Sequence, residues 1–100
     1  MDKKEVIDKI RKYKSLLNKK FDVKKVFLFG SYARGTNRED SDIDVAIVVE
    51  KFDGDYFETI PLLWKLRREI DDRIEPVLIE KRNDKSGFLK EIEKYGIEIN

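Results

Sequence analysis

The chain has 100 residues, of which 22 are Lys or Arg and 21 are Asp or Glu, so its formal net charge is +1. This length fits one domain over residues 1–100 with a single modest core, and the near-neutral charge gives no reason to expect direct nucleic-acid binding. The absence of cysteine and histidine excludes disulfides, thiol nucleophiles and the commonest zinc ligands. Short apolar runs and a charged N-terminus predict no membrane span, no signal peptide and a cytoplasmic location.

The first half of the chain predicts one helix and two strands. Apolar residues at three- and four-residue steps indicate an amphipathic helix over about residues 3–19. The apolar run 26–29 is typical of a strand buried on both faces. Turn and helix-start residues fill 31–41, and a second buried strand is predicted over about 43–50.

A turn and a longer helix follow. Asp53-Gly54 is a typical turn pair. The apolar spacing beyond it predicts a helix over about residues 57–72, with Pro61 in its first turn if the cap lies near Thr59.

The last quarter of the chain predicts two strands and a helix. Residues 74–80 have the composition of a third strand. Asp84 or Ser86 can cap a following helix that Gly96 stops, and residues 97–99 are expected to form a short final strand. The fold class is therefore α+β, a small mixed sheet flanked by helices.

The connections between the strands bring acidic residues to one edge of the sheet. The dozen residues between the first two strands favour an antiparallel pair, which places Gly30 and Ser31 beside Asp42 and Asp44. A helical crossover allows the third strand to run parallel to the second, so Glu75 reaches the same edge. Glu80 lies at the far end of that strand, roughly 16 Å away at ~3.3 Å per residue.

These residue types favour a nucleotide with its metal ions. Asp42 and Asp44 lie two apart on an extended segment and face the same side, where a divalent cation, magnesium or manganese, would relieve their repulsion. Gly30 permits close backbone approach, and the N–H groups after it, the Ser31 hydroxyl and the Arg34 guanidinium suit phosphate. Each feature alone is more often a plain turn, a solvated loop edge or a surface ion pair. The combination between two apolar strands is much rarer.

Two short segments carry a family resemblance. GSYARG at residues 30–35, followed after five residues by SDID at 41–44, resembles the signature of minimal nucleotidyltransferases, the MNT group of the DNA polymerase beta-like nucleotidyltransferase superfamily. The match is dense over residues 30–44, and the order of elements fits nearly the whole chain.

The resemblance implies roles for individual residues. Asp42 and Asp44 would hold two Mg²⁺ ions, with Mn²⁺ as a substitute, and Glu75 would be the third metal-binding and catalytic carboxylate. Gly30 and Ser31 would hold the phosphates of ATP. Within the same signature, Arg34 and Ser41 would join them in nucleotide binding.

The resemblance also implies a partner. MNT proteins are typically paired with a HEPN-domain ribonuclease toxin, which they neutralise by adenylylating a tyrosine. The expected function is the Mg²⁺-dependent antitoxin of such a hetero-oligomer, which takes AMP from ATP. The alternative is a non-catalytic antitoxin that neutralises its partner by binding alone, and a third reading is modification of a small molecule or an RNA end.

Overall fold

The computed structural model describes residues 1–51, 56–84 and 86–100. The helices in this part of the chain are α1 (Lys3–Asn18), α2 (Ser31–Arg34), α3 (Tyr56–Arg67) and α4 (Phe88–Tyr95). The strands are β1 (Lys25–Phe29), β2 (Ile43–Val49), β3 (Ile74–Glu80) and β4 (Ile97–Ile99). A single 3₁₀ turn at Lys81–Asn83 follows β3. No helix among the described residues is long and apolar enough to cross a membrane.

The four strands form one mixed sheet in the order β3-β2-β1-β4. β1 is antiparallel to β2 and β4, and β3 is parallel to β2. The α3 crossover returns the chain across the sheet, which makes the parallel pairing possible. The structure therefore confirms the predicted α+β class, the antiparallel first pair and the parallel third strand.

Helices cover the two faces of the sheet unequally. α1 and α3 pack on one face, where Ile10, Tyr13 and Leu63 join inward-pointing strand residues in a large buried cluster. The other face carries a smaller cluster built around Leu89 and Ile92 of α4. Because side chains alternate along a strand, consecutive residues of β2 belong to different clusters. We call these the α1/α3 face and the α4 face.

Two predictions about α3 were wrong. The helix begins at Tyr56, so Thr59 lies inside it rather than at its cap, and Pro61 is its sixth residue. It also ends at Arg67 rather than near residue 72, because the next two N–H groups donate to carbonyls only three residues back and tighten the turn. The Arg67 carbonyl then accepts from both Ile70 and Asp71, at 2.9 and 2.8 Å. The apolar period continues through this turn, which is why the sequence pattern resembled a longer helix. The predicted turn at Asp53-Gly54 lies outside the described residues.

The end of α4 agrees with the sequence, whereas its start differs. The helix begins at Phe88 with Gly87 at the N-cap, so neither Asp84 nor Ser86 occupies the cap position. Asp84 Oδ2 accepts from the Leu89 N–H at 2.9 Å, and Ser86 Oγ accepts from the Phe88 N–H at 3.3 Å. Both residues offered as caps therefore bond to the first turn. Gly96 ends the helix, as predicted, and a Cβ there would lie 2.6 Å from the Ile92 carbonyl oxygen. This close approach lets the chain turn directly into β4.

Candidate active site

Gly30 forms the turn between β1 and α2. Its φ of 75° and ψ of −150° are almost restricted to glycine, and its carbonyl accepts from the Arg34 N–H at 3.1 Å. A Cβ at this position would lie 2.1 Å from Asp44 Oδ2. The turn therefore needs glycine for its conformation and for its contact with the carboxylate.

α2 is a single helical turn that one buried side chain holds against the core. The Tyr32 side chain is buried against the α1/α3 face, and Gly35 closes the turn in the left-handed conformation at φ 76°. The first N–H groups of a helix have no partner within it, so those at the beginning of α2, together with the Ser31 hydroxyl, are donors positioned at the Gly30 turn.

Strand register brings two of the predicted carboxylates together. Asp44 pairs with Phe29 of β1 on one side and with Glu75 of β3 on the other. Residues directly opposite each other share a face, and Asp44 lies two positions before Ala46, which belongs to the α4-face cluster. Asp44 and Glu75 are therefore neighbours on the α4 face, beside Gly30.

The electrostatics show that these carboxylates are crowded. Burial raises the pKa of Asp44, the negative charge of Asp42 raises it further, and Arg34 opposes the rise. Burial also raises the pKa of Glu75. The negative charge of Asp42, a hydrogen bond with Asp42 and the negative charge of Asp44 raise it further. Asp42 thus lies close enough to act on both. A cation at this edge would relieve the repulsion among the three groups.

Arg67 is a member of this neighbourhood that the sequence analysis did not single out. Its guanidinium lowers the pKa of Glu75 and donates from Nη1 to the Ile74 carbonyl at 3.0 Å and to the Asp72 carbonyl. It also lies 4.6 Å from the ring centroid of Trp64. Arg67 therefore ties the end of α3 to the beginning of β3, where Glu75 lies.

Ser41 has a local role in the structure. Its Oγ accepts from the Arg38 N–H at 2.7 Å, and its own N–H donates to the Arg38 carbonyl at 3.1 Å. These bonds close the loop just before Asp42. Its predicted part in nucleotide binding remains a prediction.

The donor chemistry fits a hard divalent cation, although the carboxylates are not already arranged around one. Oxygen-only ligands are those that magnesium and manganese prefer, and Asp42, Asp44 and Glu75 supply them. Within the described ranges, no three acidic, histidine or cysteine side chains converge in a ready-made metal-binding group. Binding would thus require side-chain adjustment at the strand edge.

A cleft of about 330 Å³ adjoins the Gly30 turn. It is lined by Phe29, Gly30, Arg34, Phe88, Glu91, Ile92, Tyr95 and Gly96. The cleft therefore lies between the turn that carries the candidate phosphate donors and α4.

Comparison with known proteins assigns this architecture to a family. The family model described as polymerase beta, nucleotidyltransferase, matches residues 11–100 of this chain. A candidate protein adenylyltransferase of Methanocaldococcus jannaschii is 36% identical over 95% of this chain and 99% of its own length. The protein adenylyltransferase MntA of Thermococcus cleftensis is 34% identical over 80% of this chain and 78% of its own length.

A solved structure has the same fold. One chain of a toxin–antitoxin structure determined with AMP-PNP superposes with a TM-score of 0.68 at 26% identity, over 94% of this chain and 72% of that one.

Proposed function

The chain belongs to the polymerase beta nucleotidyltransferase family, and we propose that it transfers AMP from ATP to a tyrosine hydroxyl of a HEPN-domain toxin and so acts as its antitoxin. The observation that carries this proposal is the contact between the Gly30 turn and Asp44, with Glu75 paired beside it. The names of the relatives, protein adenylyltransferases, and the match to a toxin–antitoxin structure with AMP-PNP support an adenine nucleotide, a protein acceptor and a toxin partner. The HEPN class of that partner and the tyrosine are what the family resemblance implies.

The turn and α2 would bind the phosphates. Backbone N–H groups after Gly30 and the Ser31 hydroxyl are donors at a helix start, which is the usual setting for phosphate oxygens. Because Gly30 has no side chain, no Cβ fills the space beside Asp44 Oδ2, and a phosphate on the turn could approach that carboxylate and its metal ion. The positive charge of Arg34, which lowers the pKa of Asp44, would balance negative charge on the phosphates.

Asp42, Asp44 and Glu75 would hold Mg²⁺. When bound, the ions would supply a positive charge that neutralises the triphosphate and lowers the barrier for the departure of pyrophosphate. The raised pKa values of Asp44 and Glu75 are consistent with carboxylates placed to bind a cation that balances them.

The transfer itself is an in-line substitution at the α-phosphorus. The acceptor oxygen forms the new bond to phosphorus, and the bond between the α-phosphorus and the bridging oxygen of pyrophosphate breaks. The acceptor proton would pass to Glu75, which pairs with Asp44 at the strand edge and would lie within reach of the acceptor hydroxyl. Arg67, bonded to the backbone at Ile74, would keep that carboxylate at the strand edge.

Intact-mass spectrometry tests the proposal. The protein would be incubated with ATP, Mg²⁺ and the product of the neighbouring gene, and the expected result is a mass gain of one AMP unit on the partner. An Asp42→Asn, Asp44→Asn double variant is expected to give no gain. A Glu39→Gln, Asp40→Asn variant removes the same number of charges from exposed positions in the adjoining loop, and it should transfer normally.

Each alternative has its own outcome. A stable complex with no mass gain in any variant would contradict transfer and establish the non-catalytic antitoxin. Turnover of ATP onto a small molecule or an RNA end, with the partner unmodified, would keep the nucleotidyltransferase and replace its acceptor.

A further inference from the structure

We infer that the cleft between the end of β1 and α4 binds the base of the nucleotide and prefers a base that carries an exocyclic amino group. The inference rests on the proposed function, because it assumes that the triphosphate lies on the Gly30 turn. It adds the part of the site that would recognise the nucleoside.

The position of the cleft is the first argument. Gly30 and Arg34 belong both to the turn proposed for the phosphates and to the lining of the cleft. A nucleotide whose phosphates lie on that turn therefore has this cleft directly beside it. Its volume of about 330 Å³ lies at the lower end of the roughly 300–1,000 Å³ range of ligand pockets. A cleft of this size is suited to a nucleoside.

The shape of the cleft is fixed by side chains that pack on the sheet. Phe29 and Phe88 meet edge to face with their ring centroids 5.7 Å apart, and Ile92 is 3% exposed and forms part of the floor. Gly96 closes the end of α4 against β1, since a Cβ there would lie 3.0 Å from the Leu28 carbonyl oxygen. These contacts build the apolar wall independently of any ligand.

Two exposed residues supply the chemistry for recognising a base. Tyr95 is 60% exposed and lies at the rim, where its ring can stack on the face of a nucleobase. Glu91, also exposed, offers carboxylate oxygens that only accept hydrogen bonds. An exocyclic amino group supplies the donor that such a carboxylate needs, and uracil lacks one.

Binding measurements can separate the base from the phosphates. Isothermal titration in Mg²⁺ would use ATP, UTP and inorganic tripolyphosphate as probes. We expect wild type to bind ATP more tightly than UTP and more tightly than tripolyphosphate. Tyr95→Ala should weaken ATP roughly 5- to 100-fold, the range for the loss of one stacked ring, and leave tripolyphosphate unchanged. Glu91→Gln should narrow the preference for ATP over UTP.

The control lies on the same helix. Glu93→Gln changes an exposed carboxylate that does not line the cleft, and it should bind every probe as wild type does. All three substitutions are at exposed positions, and circular dichroism would verify their folding. Photolabelling with 8-azido-ATP adds a positional readout, with the label expected on residues 88–95.

The outcomes distinguish this inference from the function on which it rests. Unchanged ATP binding in both cleft variants, equal affinity for ATP and tripolyphosphate, or a photolabel confined to other segments would each overturn the base subsite and leave the phosphate site standing. Cleft-dependent ATP binding without transfer to any acceptor would support the subsite and contradict the proposed function. Binding of none of the probes would overturn both.

Discussion

The two faces of the sheet differ in what their side chains do. On the α1/α3 face, Ile10, Tyr13 and Leu63 are fully buried, and the Tyr13 hydroxyl donates to the Leu63 carbonyl at 2.7 Å. On the α4 face, the buried cluster is smaller, and the carboxylates Asp44 and Glu75 lie beside it. One face provides most of the core, and the other leaves room at the strand edge for charge and a ligand.

The comparison shows how stability and function are divided in a small domain. Apolar burial on the α1/α3 face stabilises the fold at about 25 cal/mol per Å², whereas crowded carboxylates on the α4 face oppose it, as their raised pKa values indicate. Substitutions on one face should therefore change stability, and those on the other should mainly change activity.

Leu63→Ala tests the α1/α3 face. Leu63 is fully buried, so the substitution removes packed methyl groups and should lower the free energy of unfolding by roughly 2–5 kcal/mol. Urea denaturation would measure the change, and the transfer rate of the folded fraction should stay close to wild type. Tyr95→Ala, at an exposed position of α4, should shift unfolding by less than about 0.5 kcal/mol. Similar losses for the two variants would contradict the division between faces.

Asp44→Asn tests the opposite face. The transfer rate should fall about a hundred- to a thousandfold, and the melting temperature without metal or nucleotide should rise at pH 7. The folded-state pKa of Asp44 is raised, so ionising it costs stability as the pH rises above the unfolded value of about 3.9. The gain should therefore disappear near pH 3. Calorimetry at the two pH values would measure it, and a lower melting temperature at pH 7 would contradict the account.

Gly30→Ala tests the contact between the turn and the carboxylate. The backbone conformation alone should cost about 1–3 kcal/mol, and a Cβ 2.1 Å from Asp44 Oδ2 would have to displace that side chain. Nucleotide binding should be lost together with stability. Gly35→Ala is the matched control, because Gly35 also has a positive φ but, apart from its chain neighbours, no atom of the described residues lies within 4 Å of its Cβ position. It should lose about 1 kcal/mol and still bind nucleotide.

Asp71→Asn tests the hydrogen bonds that hold the turn before β3 to α1. Asp71 accepts from Lys9 of α1 at 2.8 Å and from the Arg73 side chain and N–H, and these bonds hold its pKa well below the usual range. The substitution should cost about 1–3 kcal/mol at pH 7. Because the folded pKa is lowered, that stabilisation is complete above the unfolded value of about 3.9 and declines as the pH falls below it.

Denaturant unfolding at pH 7 and pH 3 would check the Asp71 prediction. The difference between wild type and variant should shrink at the lower pH. Asp8→Asn is the control, since Asp8 and Arg11 form an exposed pair 3.3 Å apart, which contributes about 0–1 kcal/mol. A difference for Asp71→Asn that is the same at both pH values would show that the carboxylate charge is not responsible.

Sequence reasoning succeeded where connection lengths decide the geometry. The short link between β1 and β2 could only favour an antiparallel pair, and the helical crossover placed Glu75 beside Asp44, as the register shows. It failed at the end of α3. The residues after Arg67 form a tighter turn with hydrogen bonds to carbonyls three residues back, and their apolar side chains keep the spacing of a helix. It also gave Arg67 no part in the site and missed the cleft under α4, because both depend on contacts between elements far apart in the chain.

A crystal structure grown with Mn²⁺ and a non-hydrolysable ATP analogue, with manganese located by its anomalous signal, would show directly whether the Gly30 turn and the two aspartates form the nucleotide site. We expect phosphate density on the N–H groups after Gly30 and manganese peaks at Asp42 and Asp44. A nucleotide bound away from that turn, or bound there with manganese held by other residues, would contradict that assignment.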